Sequence, residues 1–325
     1  MMRILIVLPN WLGDAIMATP AIELLAKYYP HAKFTFVGSY VSIEALKHHP
    51  LCEQAVIDET KKAPNRFLAT YKLAKQLDEF HLAITFRDQL HSSLLLRFTG
   101  TVICIARRSW HSMFLLSHTP KISTSQHLVK QYAQLAMSDT DQWDTTIGRL
   151  ALYIDKKEFE KPTLGINAGA TYGSAKRWYP ERFAEVAAFF ANKYDIIIFG
   201  GPNEVAMAQE IEQNLKTLGI NNYTNLAGKT TIEELCSHIG GCSLFITNDS
   251  GPMHVAAAYQ VPTVTIFGPT KYKETSQWMN EKSIIVRHDL ECSPCMKREC
   301  PLGHHECMKN IAASEVIEAA KKLGF

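Results

Sequence analysis

The chain has no apolar stretch of about 18 residues or more, so no membrane-crossing helix is expected. It also has little net charge. Lysine and arginine number 34 against 32 aspartate and glutamate, a formal +2. That balance excludes a strongly basic nucleic-acid binder on bulk grounds and leaves room for local basic patches. Low-complexity segments and short-period repeats are absent. The G-x-G-x-x-G fingerprint of dinucleotide binding is missing after the first apolar run, where Asn10-Trp11-Leu12-Gly13-Asp14 offers a single glycine. The opening Met1-Met2-Arg3-Ile4-Leu5-Ile6-Val7-Leu8 is short for a signal peptide, lacks a small-residue cleavage site and runs into that polar loop. It reads as a first core strand, and the chain as cytoplasmic.

What is present is ordinary globular sequence, 46% hydrophobic and 20% charged. At 325 residues it is long for one core, and two domains are expected. Short runs rich in branched residues recur at Ile4–Leu8, Phe34–Val37, Ala55–Ile57, Leu82–Phe86 and Val102–Ala106, and again at Thr163–Ile166, Ile196–Phe199, Leu244–Thr247, Thr263–Phe267 and Ile284–Val286. Helical spacing of apolar residues fills Asp14–Tyr28, Ala63–Leu77, Pro180–Asn192, Val205–Leu218 and Ile232–Ile239. Alternating strands and helices call for parallel sheets with right-handed crossovers. Two such sets predict two Rossmann-like α/β domains, 1–155 and 156–313, opening toward a shared cleft. The charged, proline-ended stretch Asp155–Pro162 is the linker candidate. Residues 314–325 form a final amphipathic helix with a serine N-cap, free to pack back on the first domain.

The richest motif is Thr247-Asn248-Asp249-Ser250-Gly251-Pro252-Met253-His254, between the apolar run Leu244–Thr247 and a helix-like run starting at His254. A strand, a tight polar turn and a helix start present free N–H groups and the positive end of the helix dipole, which favour a phosphate. His254 is within reach of such an anion. Asp249 is awkward beside a diphosphate unless it caps the helix or holds sugar hydroxyls. After the strand at 163–166, Asn167 to Pro180 supplies small residues and then Lys176-Arg177-Trp178. Lys176 is a point charge for phosphate, or one of a solvated basic pair. Glu204, after Phe199-Gly200-Gly201, either accepts from ribose hydroxyls or is a favourable first-turn carboxylate. Asp14 is either a helix N-cap or a general base, and Gly13 permits a close approach or a positive φ.

Two clusters suggest metal. Asp139-Thr140-Asp141 matches D-x-D but follows no apolar strand, and is read as a solvated face. Cys292, Cys295, Cys300 and Cys307 have zinc-capable chemistry in a spacing denser than a zinc ribbon, so structural zinc, a disulfide and plain reduced thiols all stay open. The other four cysteines, Cys52, Cys104, Cys236 and Cys242, read as small core residues.

Taken together, Leu12-Gly13-Asp14-Ala15, Ala175-Lys176-Arg177-Trp178, Asn248 through His254 and Phe267-Gly268-Pro269-Thr270 resemble glycosyltransferase family 9, the ADP-heptose–lipopolysaccharide heptosyltransferases. The cysteine segment resembles in particular the branch that adds the second heptose. The resemblance implies a GT-B fold, with the acceptor on the first domain and the sugar nucleotide on the second. It implies inverting, metal-independent transfer from ADP-heptose to the first heptose of the inner core, with no cofactor required. Asp14 would then be the base and Lys176 the stabiliser of the leaving diphosphate. Asp249 would face the heptose, and Ser250, Gly251 and His254 would hold the diphosphate. Thr171 and Glu204 would help hold the donor, and Thr230 would lie near the adenine. The acceptor would be an anionic lipid-linked glycan, met at the cytoplasmic face of the inner membrane. Arg87, Arg107 and Arg108, with His91 and Lys121, are basic candidates for it. Residues 110–116 are either a membrane- or acceptor-facing loop or a core helix. The competing expectations are transfer to a Kdo acceptor, a nicotinamide-dependent oxidoreductase on a similar sheet, and a non-catalytic nucleotide-binding scaffold.

Overall fold

The computed structural model describes residues 1–139 and 146–325, in two units, Met1–Tyr153 and Ile154–Phe325. The first unit holds β1 (Arg3–Val7), β2 (Lys33–Gly38), β3 (Cys52–Ile57), β4 (Leu82–Thr85) and β5 (Ile103–Ile105) in the order β3-β2-β1-β4-β5. The second holds β6 (Thr163–Asn167), β7 (Asp195–Phe199), β8 (Tyr223–Asn225), β9 (Leu244–Asn248), β10 (Thr263–Ile266) and β11 (Ser283–Val286) in the order β11-β10-β9-β6-β7-β8. Every strand pairing is parallel. Parallel sheets are covered by helices on both faces, which is why the central strands read as unbroken apolar runs rather than alternating ones. In β1, for example, Ile4, Leu5, Ile6 and Val7 are all fully buried.

Both sheets reverse strand order beside their first strand, and open α/β sheets bind ligands at such points. In the first unit the reversal lies between β1 and β4, so the loops carrying Asp14 and Arg87 emerge side by side. In the second it lies between β6 and β9, which brings together the loops starting at Ala168 and Asp249.

Several elements differ from the sequence reading. The helix expected over Asp14–Tyr28 is two, Leu12–Met17 and Thr19–Tyr28. Pro20 has no N–H for the Ile16 carbonyl, and the Thr19 hydroxyl donates to that carbonyl instead, at 2.7 Å. The helix starts at Leu12 with Trp11 as N-cap residue, so Asp14 lies inside the first turn and is not the cap. Gly13 is helical, and its positive-φ role falls away. The last helix is Ala313–Lys322, its N-cap residue Ala312 rather than a serine; the Ala312 N–H donates to Glu315 at 2.8 Å. It belongs to the second unit, where Val316, Ala319 and Ala320 join the core with Phe183 and Val264. Edge strand β8 and the helices Tyr40–Leu46, Leu90–Thr99 and Leu128–Ala136 were not anticipated. Residues 110–115 form a surface helix, with Trp110 72% and Phe114 85% exposed, which removes the core-helix reading. No helix among the described residues is long and apolar enough to cross a membrane.

Candidate active site

In the second unit, asparagines at the ends of β6 and β9 tie the switch-point loops together. Asn167 Nδ2 donates to the Gly169 carbonyl at 3.2 Å and to Ser250 Oγ at 3.3 Å. Asn248 Nδ2 donates to the Ala168 carbonyl, while its Oδ1 accepts from Trp178 N–H at 3.1 Å. Trp178 is buried against Phe183 and donates its indole N–H to the Ile311 carbonyl at 3.0 Å, so the loop carrying Lys176 hangs from a fixed indole.

Lys176 Nζ lies 2.6 Å from Asp249 Oδ2, which also accepts from Thr270 Oγ1 at 2.5 Å. The Asp249 side chain is 5% exposed and that of Lys176 14%. Asp249 therefore does not cap the following helix; its carboxylate is spent on a cation and a hydroxyl. Lys176 also sits over the Tyr172 ring, 4.8 Å from its centre. An ammonium has three donors, so one contact to Asp249 leaves others for a phosphate. The helix Gly251–Ala258 starts at Ser250 without a side-chain cap, because Ser250 Oγ is shared with Asn167 and Thr247. Pro252 removes one first-turn donor, and Gly251 keeps its own. His254 is buried in the same helix.

Glu204 Oε2 accepts from Gly201 N–H at 2.8 Å, the local role of a first-turn carboxylate. Its carboxyl fills the space beside Gly169, where a Cβ would stand 2.0 Å from Glu204 Cδ. Only glycine at 169 admits it, and this joins the loops after β6 and β7. Thr230 is half-buried and follows a turn whose Gly228, at φ +71°, donates to the Gly200 carbonyl at 2.8 Å. Thr171 is exposed on the loop after β6. Lys176, Asp249, Ser250 and Gly251 thus share the β6–β9 switch point, and Glu204 and Thr230 stand on the neighbouring β7 and β8 loops. Thr270, Asn167 and Asn248 carry no assigned role in the sequence reading, although all three lie inside the segments quoted there.

The cysteine segment braces these loops. Ala175 N–H donates to the Arg298 carbonyl at 3.0 Å, and the Tyr172 hydroxyl to the Met296 carbonyl at 2.8 Å. Met296 N–H donates to the Pro269 carbonyl at 2.9 Å, Ser293 Oγ to the Gly268 carbonyl at 2.6 Å. At Gly173 a Cβ would lie 2.2 Å from the Arg298 oxygen, so the close approach requires glycine. All eight cysteines are free thiols, including Cys292, Cys295, Cys300 and Cys307. Burial, then the neighbouring Cys295, Cys292 and Cys300, pushes the Cys307 thiol up to about 11. Backbone N–H groups, foremost that of His305, draw Cys300 down. Among the described residues no group of three or more His, Cys, Asp or Glu is arranged to hold a metal ion. Thr140 and Asp141 of the D-x-D triplet lie outside the described residues.

In the first unit a cavity of about 330 Å³ opens at the β1–β4 switch point, lined among others by Asn10, Trp11, Asp14, Arg87, Asp88 and Arg107. Tyr132 lines it too, and its phenol is raised well above the usual range by burial and then by the Asp14 charge, with Arg107 opposing. Arg107 donates to Gln131 Oε1 at 2.6 Å. Arg87 is not a solvated surface charge: it donates from Nη1 to Asp58 at 2.6 Å and from Nε to the Leu8 carbonyl at 2.6 Å. Arg108 and Lys121 are exposed, and His91 is half-buried.

The sequence pattern of glycosyltransferase family 9 (heptosyltransferase) matches residues 70–306. The chain belongs to that family. It is a glycosyltransferase. Lipooligosaccharide heptosyltransferase 2 of Campylobacter jejuni is 39% identical over 99% of this chain and 98% of its own length. The protein of the same name from Haemophilus influenzae is 27% identical over 99% of both. Among solved structures, ADP-heptose lps heptosyltransferase II of E. coli superposes with a TM-score of 0.84 at 25% identity, covering 99% of this chain and 98% of that one. Its fold and that of this family 9 chain are the GT-B arrangement of two parallel-sheet units. Family membership sets aside the nicotinamide-dependent oxidoreductase and the non-catalytic scaffold.

Proposed function

We propose that this chain transfers heptose from ADP-heptose to the first heptose of a lipopolysaccharide inner core, with inversion at the anomeric carbon. The observation that carries the acceptor assignment is the likeness, along 99% of the chain, to proteins named heptosyltransferase 2. The chemistry follows from the residues. Asp14 takes the proton of the attacking acceptor hydroxyl. A half-buried carboxylate next to the buried Tyr132 suits that task, since a proton acceptor gains from poor hydration. As the bond to the diphosphate breaks, negative charge grows on the leaving oxygen. Lys176 and the uncapped start of the helix Gly251–Ala258 receive it, with His254 alongside. Asp249 keeps Lys176 in place and faces the heptose, and Thr171, Glu204 and Thr230 hold the rest of the nucleotide. The proposal assigns the leaving-group charge to these groups without a divalent ion or other cofactor, and gives the cysteine segment a bracing role. It includes work at the cytoplasmic face of the inner membrane, where a lipid-linked acceptor would be met. Exposed Trp110, Met113 and Phe114 support such contact.

The test is incubation of the pure protein with ADP-heptose and a panel of inner-core acceptors ending in Kdo or in one heptose, read by mass. Gain of a single heptose on the heptose-ended acceptor is expected. Elongation of the Kdo-ended acceptor alone would move the chain to the first-heptose reaction, and no elongation at all would remove the proposal.

A further inference from the structure

One wall of the Asp14 cavity is apolar but for a single hydroxyl. Leu128, Tyr132 and Leu135 line the cavity from the helix Leu128–Ala136, at the four- and three-residue spacing that puts side chains on one helix face. That helix packs against Leu12–Met17, the helix that carries Asp14. Leucines are ordinary walls. The tyrosine between them is different, since phenylalanine would fill the ring's space equally well. The Tyr132 ring meets Phe86 edge-on, 5.2 Å between centres, and the residue is only 6% exposed. Phe86 lines the same cavity, so the phenol is held at its wall.

The Tyr132 hydroxyl makes no hydrogen bond among the described residues, whereas buried phenols usually find a partner. Gln131, one residue earlier, shows the contrast. Its amide accepts from Arg107 at 2.6 Å and donates to the Gln126 carbonyl at 2.7 Å. Burial first, and the Asp14 charge next, raise the phenol well above its ordinary range, with Arg107 opposing. The group therefore stays protonated at neutral pH. It is a donor, and no rival to Asp14 as the base. A donor and an anionic acceptor line one cavity, and the charge of one acts on the other with no hydrogen bond between them. Such a pair is complementary to a hydroxyl, which offers one proton and two lone pairs.

We propose that Tyr132 is a catalytic residue, its hydroxyl donating to the attacking oxygen of the sugar acceptor while Asp14 accepts that oxygen's proton. The inference rests on the heptosyl-transfer reading above, with Asp14 as its base. The proton passes to the Asp14 carboxylate, and a lone pair of the attacking oxygen forms the bond to the anomeric carbon. The pair from the broken carbon–oxygen bond leaves with the diphosphate. Tyr132 keeps its own proton throughout. Its hydrogen bond strengthens as the attacking oxygen gains negative charge, so it acts on the transition state more than on the bound ground state. Two contacts also fix the direction of the reacting hydroxyl, which one carboxylate alone leaves free to swing.

Tyr132→Phe in the full-length protein removes the hydroxyl and keeps the ring. Kinetics are read with ADP-heptose on whichever inner-core acceptor the wild type elongates. The variant's kcat is expected to fall about 10- to 100-fold, with acceptor KM, donor KM and ADP affinity each within about threefold of wild type. Its Tm should stay level, because no protein group loses a hydrogen bond. In the Asp14→Asn background, single-turnover rates should show the tyrosine change costing less than about threefold, since two groups serving one hydroxyl do not act additively. Unchanged kcat in Tyr132→Phe overturns the inference, while wild-type transfer leaves the proposed function standing. A fall in kcat that comes with a fall in Tm of several degrees makes the hydroxyl structural and overturns it as well. So does an equal loss in the two backgrounds. Absence of transfer by the wild type on every acceptor removes the proposed function, and this inference with it.

Discussion

Replacing Asp58 by asparagine tests how far the first unit leans on one ion pair. The Asp58 and Arg87 side chains are 10% and 4% exposed and meet at 2.6 Å. Removing one partner of a buried pair costs about 3–5 kcal/mol, because the other charge is left uncompensated. In Asp58→Asn the Oδ1 contacts to Thr60 survive, while the new amide group turns donors toward the Arg87 N–H. The lower end, about 3 kcal/mol, is therefore expected. For a unit of this size that is a fall in Tm of roughly 6–12 °C. Calorimetry reads it, and Arg87→Met with the double variant gives the coupling. The pH dependence has a definite sign. Burial works to raise the Asp58 pKa, but the Thr60 hydrogen bonds and the Arg87 charge outweigh it and hold it below its ordinary value. Its contribution is full above the unfolded value of about 4 and is lost as pH falls through the lower folded one. Wild-type and Asp58→Asn stabilities should converge in acid. A loss below about 1 kcal/mol at neutral pH, the range of exposed pairs, would refute the reasoning.

Four further outcomes are expected. Asp14→Asn should lower transfer at least about 100-fold while ADP binding, measured by calorimetry, is retained; near-normal turnover would remove Asp14 from the base role. Lys176→Met should cut kcat about 100- to 1000-fold with a far smaller change in donor affinity, and a change confined to KM would mean the lysine serves ground-state binding only. Gly173→Ala should destabilise the second unit by about 1–3 kcal/mol and weaken ADP binding, since its Cβ would strike the Arg298 carbonyl; unchanged melting would show that the loop yields freely. Protein purified without added metal should carry little zinc by elemental analysis, and a full equivalent per chain would mean the 292–307 segment is held by more than its hydrogen bonds.

The architecture was legible because central parallel strands are buried on both faces and cannot disguise themselves. β1, β7 and β9 stand out as apolar blocks followed by polar turns. Edge strand β8, Tyr-Thr-Asn, has no such burial to announce it. The helix Leu90–Thr99 was missed for a related reason. Its buried Ser92 and Ser93 read as loop-forming residues until packing is known. Single-residue roles were harder. Asp14 and Asp249 both stand where an N-cap is common, and neither caps, because a shift of the helix start by three residues at Asp14 and by one at Asp249 changes that role without changing the pattern. The Asp58–Arg87 pair joins residues 29 positions apart, a relation visible only once β3 and β4 lie in one sheet. The Glu204–Gly169 contact has the same character: each residue had a local explanation, and only the meeting of two loops supplied the other.

The loop bearing Lys176 is shaped by carbonyls and side chains that lie 123 to 133 residues later in the chain. A ribosome moving at about 5–20 residues per second needs roughly 6–27 seconds to deliver them. During that interval the nascent chain can complete its first sheet, yet the lysine's perch is still unbuilt. The geometry of that loop is therefore completed only after residue 296 has been made, and a chain stopped just before it would keep the strands of both sheets but lose the carbonyl that holds Tyr172.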